Sequence, residues 1–220
     1  MDALDKVGIT HSGPIGDIAT WESKGLRIAM IAFSTGGGVY RVQDIDTAQK
    51  VVADLARKHD LVIVSFQGGA EGTKAARVPH TTEMFLGEDR GDLRRFTHAV
   101  VDAGADLVLG HGPHLLRGME VYRGRLIAYS LGNFSSWHTF NLSGDLGVSA
   151  ILGVTLAANG VALNAQLTPL VLKEPGLPTP DPKKQAIKSV RRLSKIDFGS
   201  SLFDAQGRWS ANPDSVPSSS

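Results

Sequence analysis

Two histidines three residues apart, His111 and His114, sit in the segment Gly110-His111-Gly112-Pro113-His114. Neutral imidazole is a common metal ligand, and two rings on one short loop can converge on one or two ions. Gly110 and Gly112 permit unusual backbone angles, while Pro113 stiffens the turn. A His-x-x-His pair also recurs by chance, and two loop histidines bonded to backbone would show the same spacing. On spacing alone both readings stand.

Two further segments carry polar groups at the ends of apolar runs. Gln67-Gly68-Gly69-Ala70-Glu71 follows Leu61 to Phe66, and Tyr129-Ser130-Leu131-Gly132-Asn133-Phe134 ends another run. Ligands of open α/β sheets bind beyond the carboxyl ends of the strands, which raises interest in all three loops. Gln67 offers an amide oxygen, a poorer transition-metal ligand than imidazole. Glu71 is the candidate catalytic group, a general acid/base or a carboxylate behind the ligands, set against a solvated loop charge. Asn133 is a candidate substrate contact through its amide, set against a turn residue after a strand, and Ser130 joins it as a second substrate contact.

The elements that must hold these loops follow from periodicity. Leu26–Phe33 and Leu61–Phe66 read as buried strands, Asp106–Leu109 as a shorter one, and about 46–58 and 91–103 as helices. Asp46 with Gln49 has capping-box spacing. The polar stretch to about Asp89 reads as a long functional loop. Strand–helix–strand alternation to residue 110 implies an α/β core with a partly parallel sheet. Two hairpins follow, 119–122 with 126–130, and 148–156 with 161–171 around Asn159-Gly160. After four prolines between 175 and 182, a basic helix is expected over 183–195, weak order from about Asp197, and disorder over Pro217–Ser220. The chain thus divides into a domain over 1–173 and a Pro-rich linker, basic helix and tail over 174–220.

Bulk composition excludes several classes. Of 220 residues, 42% are hydrophobic and 20% charged, with a net charge of +1, so no global field points to nucleic acid or an anionic membrane. Cysteine is absent, which leaves any metal to His, Asp, Glu, Asn or Gln. The first residues contain no apolar run fit for a signal peptide or membrane span. The other histidines read mostly as structural, His98 lying off the apolar face of its helix.

Taken in order, Leu61 to Glu71, Asp102 to His114, and Glu120 to Phe134 resemble the bacterial capsule-synthesis, or poly-γ-glutamate biosynthesis, family of the CapA type. The resemblance implies an α/β, metallophosphatase-like (calcineurin-like) layered sandwich of mixed sheets flanked by helices, with metal-binding loops at the strand ends. It places His111 and His114 on the family's Gly-His-x-Pro-His metal motif and Gln67 where the family usually has a histidine. The implied cofactor is a divalent metal (Mn, Zn or Fe).

The family's Gly-Asp, Asn-x-Glu and Asn-Asn-His segments are not found in this sequence, and Leu4 to Gly13 resembles the stretch that follows them. The fold is therefore expected to be incomplete at its N-terminus, without the acidic half of the metal site and with an unpaired sheet edge inviting self-association. The resemblance leaves three functions open: a metal-dependent phosphoesterase-type hydrolase serving an anionic surface polymer, a non-catalytic polymer-binding or assembly component, and a phosphatase unrelated to capsule. The implied partners are an anionic polymer or phosphoester substrate and other capsule-synthesis subunits. The implied location is the cell envelope or beyond the cytoplasm.

Overall fold

The computed structural model describes residues 1–135, 137–139 and 141–212. Its elements run in order α1 (Asp2–Asp5), β1 (Ala19–Ser23), β2 (Leu26–Ser34), β3 (Tyr40–Arg41), α2 (Ile45–Ala56), β4 (Leu61–Gln67), β5 (Met84–Phe85), β6 (Glu88–Asp89), α3 (Leu93–Asp102) and β7 (Leu107–His111). The chain continues through β8 (Met119–Tyr122), β9 (Arg125–Ala128), a 3-10 turn (Gly144–Gly147), β10 (Val148–Leu156), β11 (Ala162–Lys173), β12 (Leu177–Pro180), α4 (Gln185–Phe198) and β13 (Arg208–Ser210).

The first sheet has the order β1-β2-β4-β7-β9-β8, with β3 beside the end of β2. The β2/β4, β4/β7 and β7/β9 pairs are parallel, whereas β1/β2 and β8/β9 are antiparallel. Side chains alternate along these strands as a sheet buried on both faces requires. Val62, Val64 and Phe66 of β4, Val108 of β7 and Ile127 of β9 face a core shared with α2 and α3. Ile63, Leu107, Leu109, Leu126 and Ala128 face the opposite way, against the second sheet and α4. The result is an α/β stack of helices, mixed sheet, and second sheet with α4. Phe96 of α3 meets Phe33 and Phe66 edge-on, with centroids 5.1 and 5.6 Å away. Such pairs add ~0.5–1.5 kcal/mol beyond their burial.

The α2 cap is Asp44, not the expected Asp46: its carboxylate accepts from the Thr47 amide, and Ala48, Val52 and Leu55 fill the buried stripe. Asp92 caps α3 in the same way through the Arg95 amide. The β8/β9 hairpin turns through Arg123 (φ +50°) and Gly124 (φ +76°), the left-handed pair that a two-residue loop demands.

The expectation of weak order from about Asp197 is corrected. Helix α4 extends to Phe198, Phe203 is buried in the second core, and β13 pairs with Asn164–Gln166 of β11. Nor is the proline-rich stretch only a linker, since Leu177–Pro180 pairs with Leu170–Lys173 on the same edge of β11. Pro178 and Pro180 are tolerated there because β12 is an edge strand. What periodicity hid is that a long β11 leaves one edge open for two short strands. The expectation for Pro217–Ser220 falls outside the described residues.

Residues 68–91 contain only the small β5/β6 hairpin, and a buried ion pair folds them down. Arg117 is fully buried and donates to both carboxylate oxygens of Glu83, at 2.8 and 2.7 Å, and to the Ala75 carbonyl at 2.7 Å. Glu83 in turn accepts from the Ala70 amide at 2.9 Å. Gly69 (φ +82°) lies against this pair, where a Cβ would come within 2.8 Å of the Arg117 guanidinium.

Removing one member of such a pair strands the other charge, at a cost of about 3–5 kcal/mol. Arg117→Ala is expected to lose stability on that scale in urea denaturation, and Arg117→Met with Glu83→Leu to lose much less. A single mutant within ~1 kcal/mol of the parent would mean that the pair does not hold this loop.

Candidate metal and substrate site at the strand ends

Parallel pairing of β4 and β7 ends on the partners Gln67 and His111, and both side chains are exposed there. Neighbouring strands are ~4.8 Å apart, so the amide and the imidazole leave the sheet side by side. The chain then closes tightly behind them. The Gly68 amide donates to the His111 carbonyl at 2.9 Å. Gly112 (φ +127°) packs so closely on Gly68 that a Cβ would sit 2.4 Å from its carbonyl oxygen. Part of the His111 surface meets solvent, yet the surrounding protein desolvates the ring and lowers its pKa below the ordinary imidazole value. That favours the neutral, ligating form.

His114 has φ +61°, a left-handed conformation unusual for a residue with a side chain. Its Nδ1 lies 2.8 Å from Asn133 Oδ1, and its Nε2 lies 3.9 Å from Glu71 Oε2. Asn133 is 5% exposed, and its Nδ2 donates to the Leu146 carbonyl at 3.3 Å. Its own carbonyl accepts from the Ser149 hydroxyl. Glu71 is held from the other side: its Oε1 accepts from Arg90 Nη2 at 2.7 Å, while Arg90 Nε donates to the Gly69 carbonyl at 3.2 Å.

A cavity of about 390 Å³ is lined by Gln67, His111, His114, Asn133, Phe134 and Ser135, with Gly112 and Gly132. It shares Gln67 and His111 with a second cavity of about 320 Å³ that reaches Ser34, Ser65 and Gly13. The fold therefore brings Gln67, His111, His114 and Asn133 to one rim, with Glu71 behind His114.

Ser130 does not belong to it. Its side chain is fully buried and donates to the Leu115 carbonyl at 2.7 Å while accepting from the Gly132 amide at 3.2 Å. The expected substrate contact is corrected to a structural one, because a hydroxyl so enclosed cannot meet a ligand. His98, expected to be structural, lies 2.8 Å from Glu120 and stacks on Tyr122 with centroids 3.8 Å apart. No regular spacing marks Arg90, Arg117 and Glu83: Arg90 pairs with Glu71 across 19 residues and Arg117 with Glu83 across 34.

Among the described residues no three His, Cys, Asp or Glu side chains converge as a metal-holding group. The candidate ligands on the rim are the His111 and His114 imidazoles and the Gln67 amide, since Asn133 Oδ1 already meets His114 Nδ1. That set fits a loosely held divalent ion with water in its remaining positions and falls short of a closed site.

The chain belongs to the family described as bacterial capsule synthesis protein PGA_cap, which matches residues 1–137. Over 161 residues it is 34% identical to the PGA biosynthesis protein CapA of Bacillus subtilis (strain 168), covering 68% of this chain and 37% of that protein. The capsule biosynthesis protein CapA of Bacillus anthracis is 42% identical over 82 residues, 37% of this chain and 19% of its own. A Mycobacterium tuberculosis relative named "Probable polyglutamine synthesis accessory protein" is 33% identical over 138 residues, 60% of this chain and 32% of its own. The chain thus spans well under half the length of these relatives. The crystal structure of a hypothetical protein from Thermus thermophilus covers 74% of this chain and 58% of its own at 16% identity and a TM-score of 0.37. No described helix is long and apolar enough to cross a membrane.

Ser130→Ala is expected to lower stability by about 1 kcal/mol through its lost hydrogen bonds and to leave Mn or Zn affinity unchanged in calorimetry. A drop in affinity at unchanged stability would return Ser130 to the ligand site.

Proposed function

We propose that this chain serves capsule or poly-γ-glutamate biosynthesis, at the cell envelope, as a metallophosphatase-like module of the metal-dependent hydrolase type. Its substrate would be an anionic polymer or phosphoester bound across the rim, and its partners other capsule-synthesis subunits. The observation that carries this reading is the convergence of Gln67, His111 and His114 on one cavity at the carboxyl ends of parallel strands. Their metal would be Mn, Zn or Fe, and a bound ion would supply Lewis-acid polarisation and an acidic water.

The chain's own residues have separate tasks. His111 stands at the strand end in the neutral form that desolvation favours. His114 is turned by Asn133. Arg90 fixes Glu71 so that its second oxygen faces His114. Phe134, half-exposed on the cavity wall, offers an apolar surface beside the polar donors.

A second reading, a non-catalytic polymer-binding or assembly component, draws on a different observation. Among the described residues no carboxylate converges with the two imidazoles and the amide as a metal-holding group, and Glu71 already accepts a hydrogen bond from Arg90. Turnover separates the two. Metal-dependent cleavage of a generic phosphodiester supports the hydrolase, whereas polymer binding without cleavage supports the second reading.

Isothermal titration with Mn and Zn is expected to give weak binding that His111→Ala with His114→Ala abolishes. Gln67→His replaces an amide oxygen with an imidazole nitrogen at the same strand end and is expected to tighten binding about tenfold, a change of ~1.4 kcal/mol. Unchanged binding in the double mutant would remove these residues from the ion site. An unaltered Gln67→His affinity would mean that position 67 points away from it.

A further inference from the structure

We propose that Asn133 is a positioning residue of the rim: its amide fixes the His114 proton on Nδ1 and so turns Nε2 into the ring's electron-pair donor. This deepens the reading of His114 as a ligand, and it rests on that reading only for its consequence for the ion. Donors and acceptors around Asn133 fix the place of the proton. The Leu146 carbonyl can only accept, so the Asn133 atom 3.3 Å from it must be the amino nitrogen. That sets the amide orientation and leaves Oδ1 toward His114 at 2.8 Å. Oδ1 can also only accept, so His114 Nδ1 must carry a proton. A neutral ring holding its proton on Nδ1 has its lone pair on Nε2, the nitrogen that faces Glu71 Oε2.

The surroundings keep this chain of bonds from slipping. The Asn133 side chain is almost wholly buried, and the buried Ser149 hydroxyl ties down its backbone carbonyl. Leu146 lies in the 3-10 turn Gly144–Gly147, where its amide donates to the Ser143 carbonyl. Gly132, at φ +67°, makes the bend before Asn133 and packs on the Leu115 backbone, where a Cβ would come within 3.2 Å. At the other end, His114 is held in a left-handed backbone conformation, which is unfavourable for a residue with a side chain and persists only where neighbours enforce it. A buried amide joined to a strained histidine implies that the ring's orientation matters more than local stability does. The sequence reading gave Asn133 a direct substrate contact, whereas this geometry gives it an indirect role through His114.

The test is the tautomer itself, read by two-bond ¹⁵N–¹H correlation of the His114 ring in the metal-free protein. The parent is expected to show the Nδ1-protonated form. Asn133→Ala should shift the population toward Nε2-H and weaken Mn or Zn binding about 10- to 100-fold, the usual scale for losing such a support. Asn133→Asp keeps an acceptor for Nδ1 and should restore the parent tautomer, although its bond from Nδ2 to Leu146 is lost. Thermal unfolding of both variants separates misfolding from repositioning. If Asn133→Ala fails to fold, the parent and Asn133→Asp spectra still decide the matter. A parent ring protonated on Nε2, or an Asn133→Ala ring that keeps the parent tautomer, overturns the inference. A parent that shows the expected tautomer but binds no metal overturns the ion site and leaves the positioning role standing.

Discussion

The buried contact between Arg117 and Glu83 is the constraint on which the site depends. Residues 68–91 have almost no regular structure, so their backbone amides and carbonyls need partners that a helix or sheet would otherwise supply. Arg117 and Glu83 supply several of them at Ala70 and Ala75. The rest come from nearby backbone and from α4: Gly69 bonds to Arg90, Gly72 to Pro113, and Val78 to the Asp197 carboxylate. Two charges with little access to water are tolerable only when nearly every donor and lone pair is used, and here each charge also satisfies a backbone group. Because the loop is anchored in this way, Arg90 has a fixed base from which to hold Glu71.

The rim is assembled by two unlike devices. Strand register fixes Gln67 and His111: once β4 and β7 pair, the two residues are neighbours whatever their side chains. Loop chemistry fixes His114 and Asn133, which need glycines, a left-handed residue and a directed run of hydrogen bonds. The second sheet enters only through this second device. Ser149 at the start of β10 and Leu146 just before it reach back to Asn133, so the sheet behind the core helps to aim a side chain at its edge.

Much of this architecture was legible in the residues. The strands Leu26–Ser34 and Leu61–Gln67 show as apolar runs, the α3 stripe of Leu93, Phe96 and Val100 as helical spacing, and Asn159-Gly160 as a turn. The gathering of Gln67, His111, His114 and Asn133 at strand ends was legible too, because α/β topology dictates where ligands meet strands. Long-range polar pairing was not. Nothing in the spacing of Glu83 and Arg117, or of Glu71 and Arg90, marks them as partners, and Ser130 differs from a ligand-binding serine only in being enclosed. The pairing of β12 and β13 with β11 escaped for a related reason: prolines and a short, mixed stretch carry little period-two signal, and the open edge that receives them exists only in three dimensions.

Register at the end of β4 has a consequence for how such a protein can change. The Gln67 side chain is exposed at the last paired position of β4 and stands outside both hydrophobic cores. Its identity is therefore almost decoupled from folding, and an imidazole can replace the amide there without compensating changes in either core. Position 114 offers no such freedom, since its backbone angle and its amide partner leave few residues able to occupy it. One site thus joins a position that folding barely constrains to one held by its backbone angle and its amide partner, and a substitution at the first leaves the shape of the rim intact.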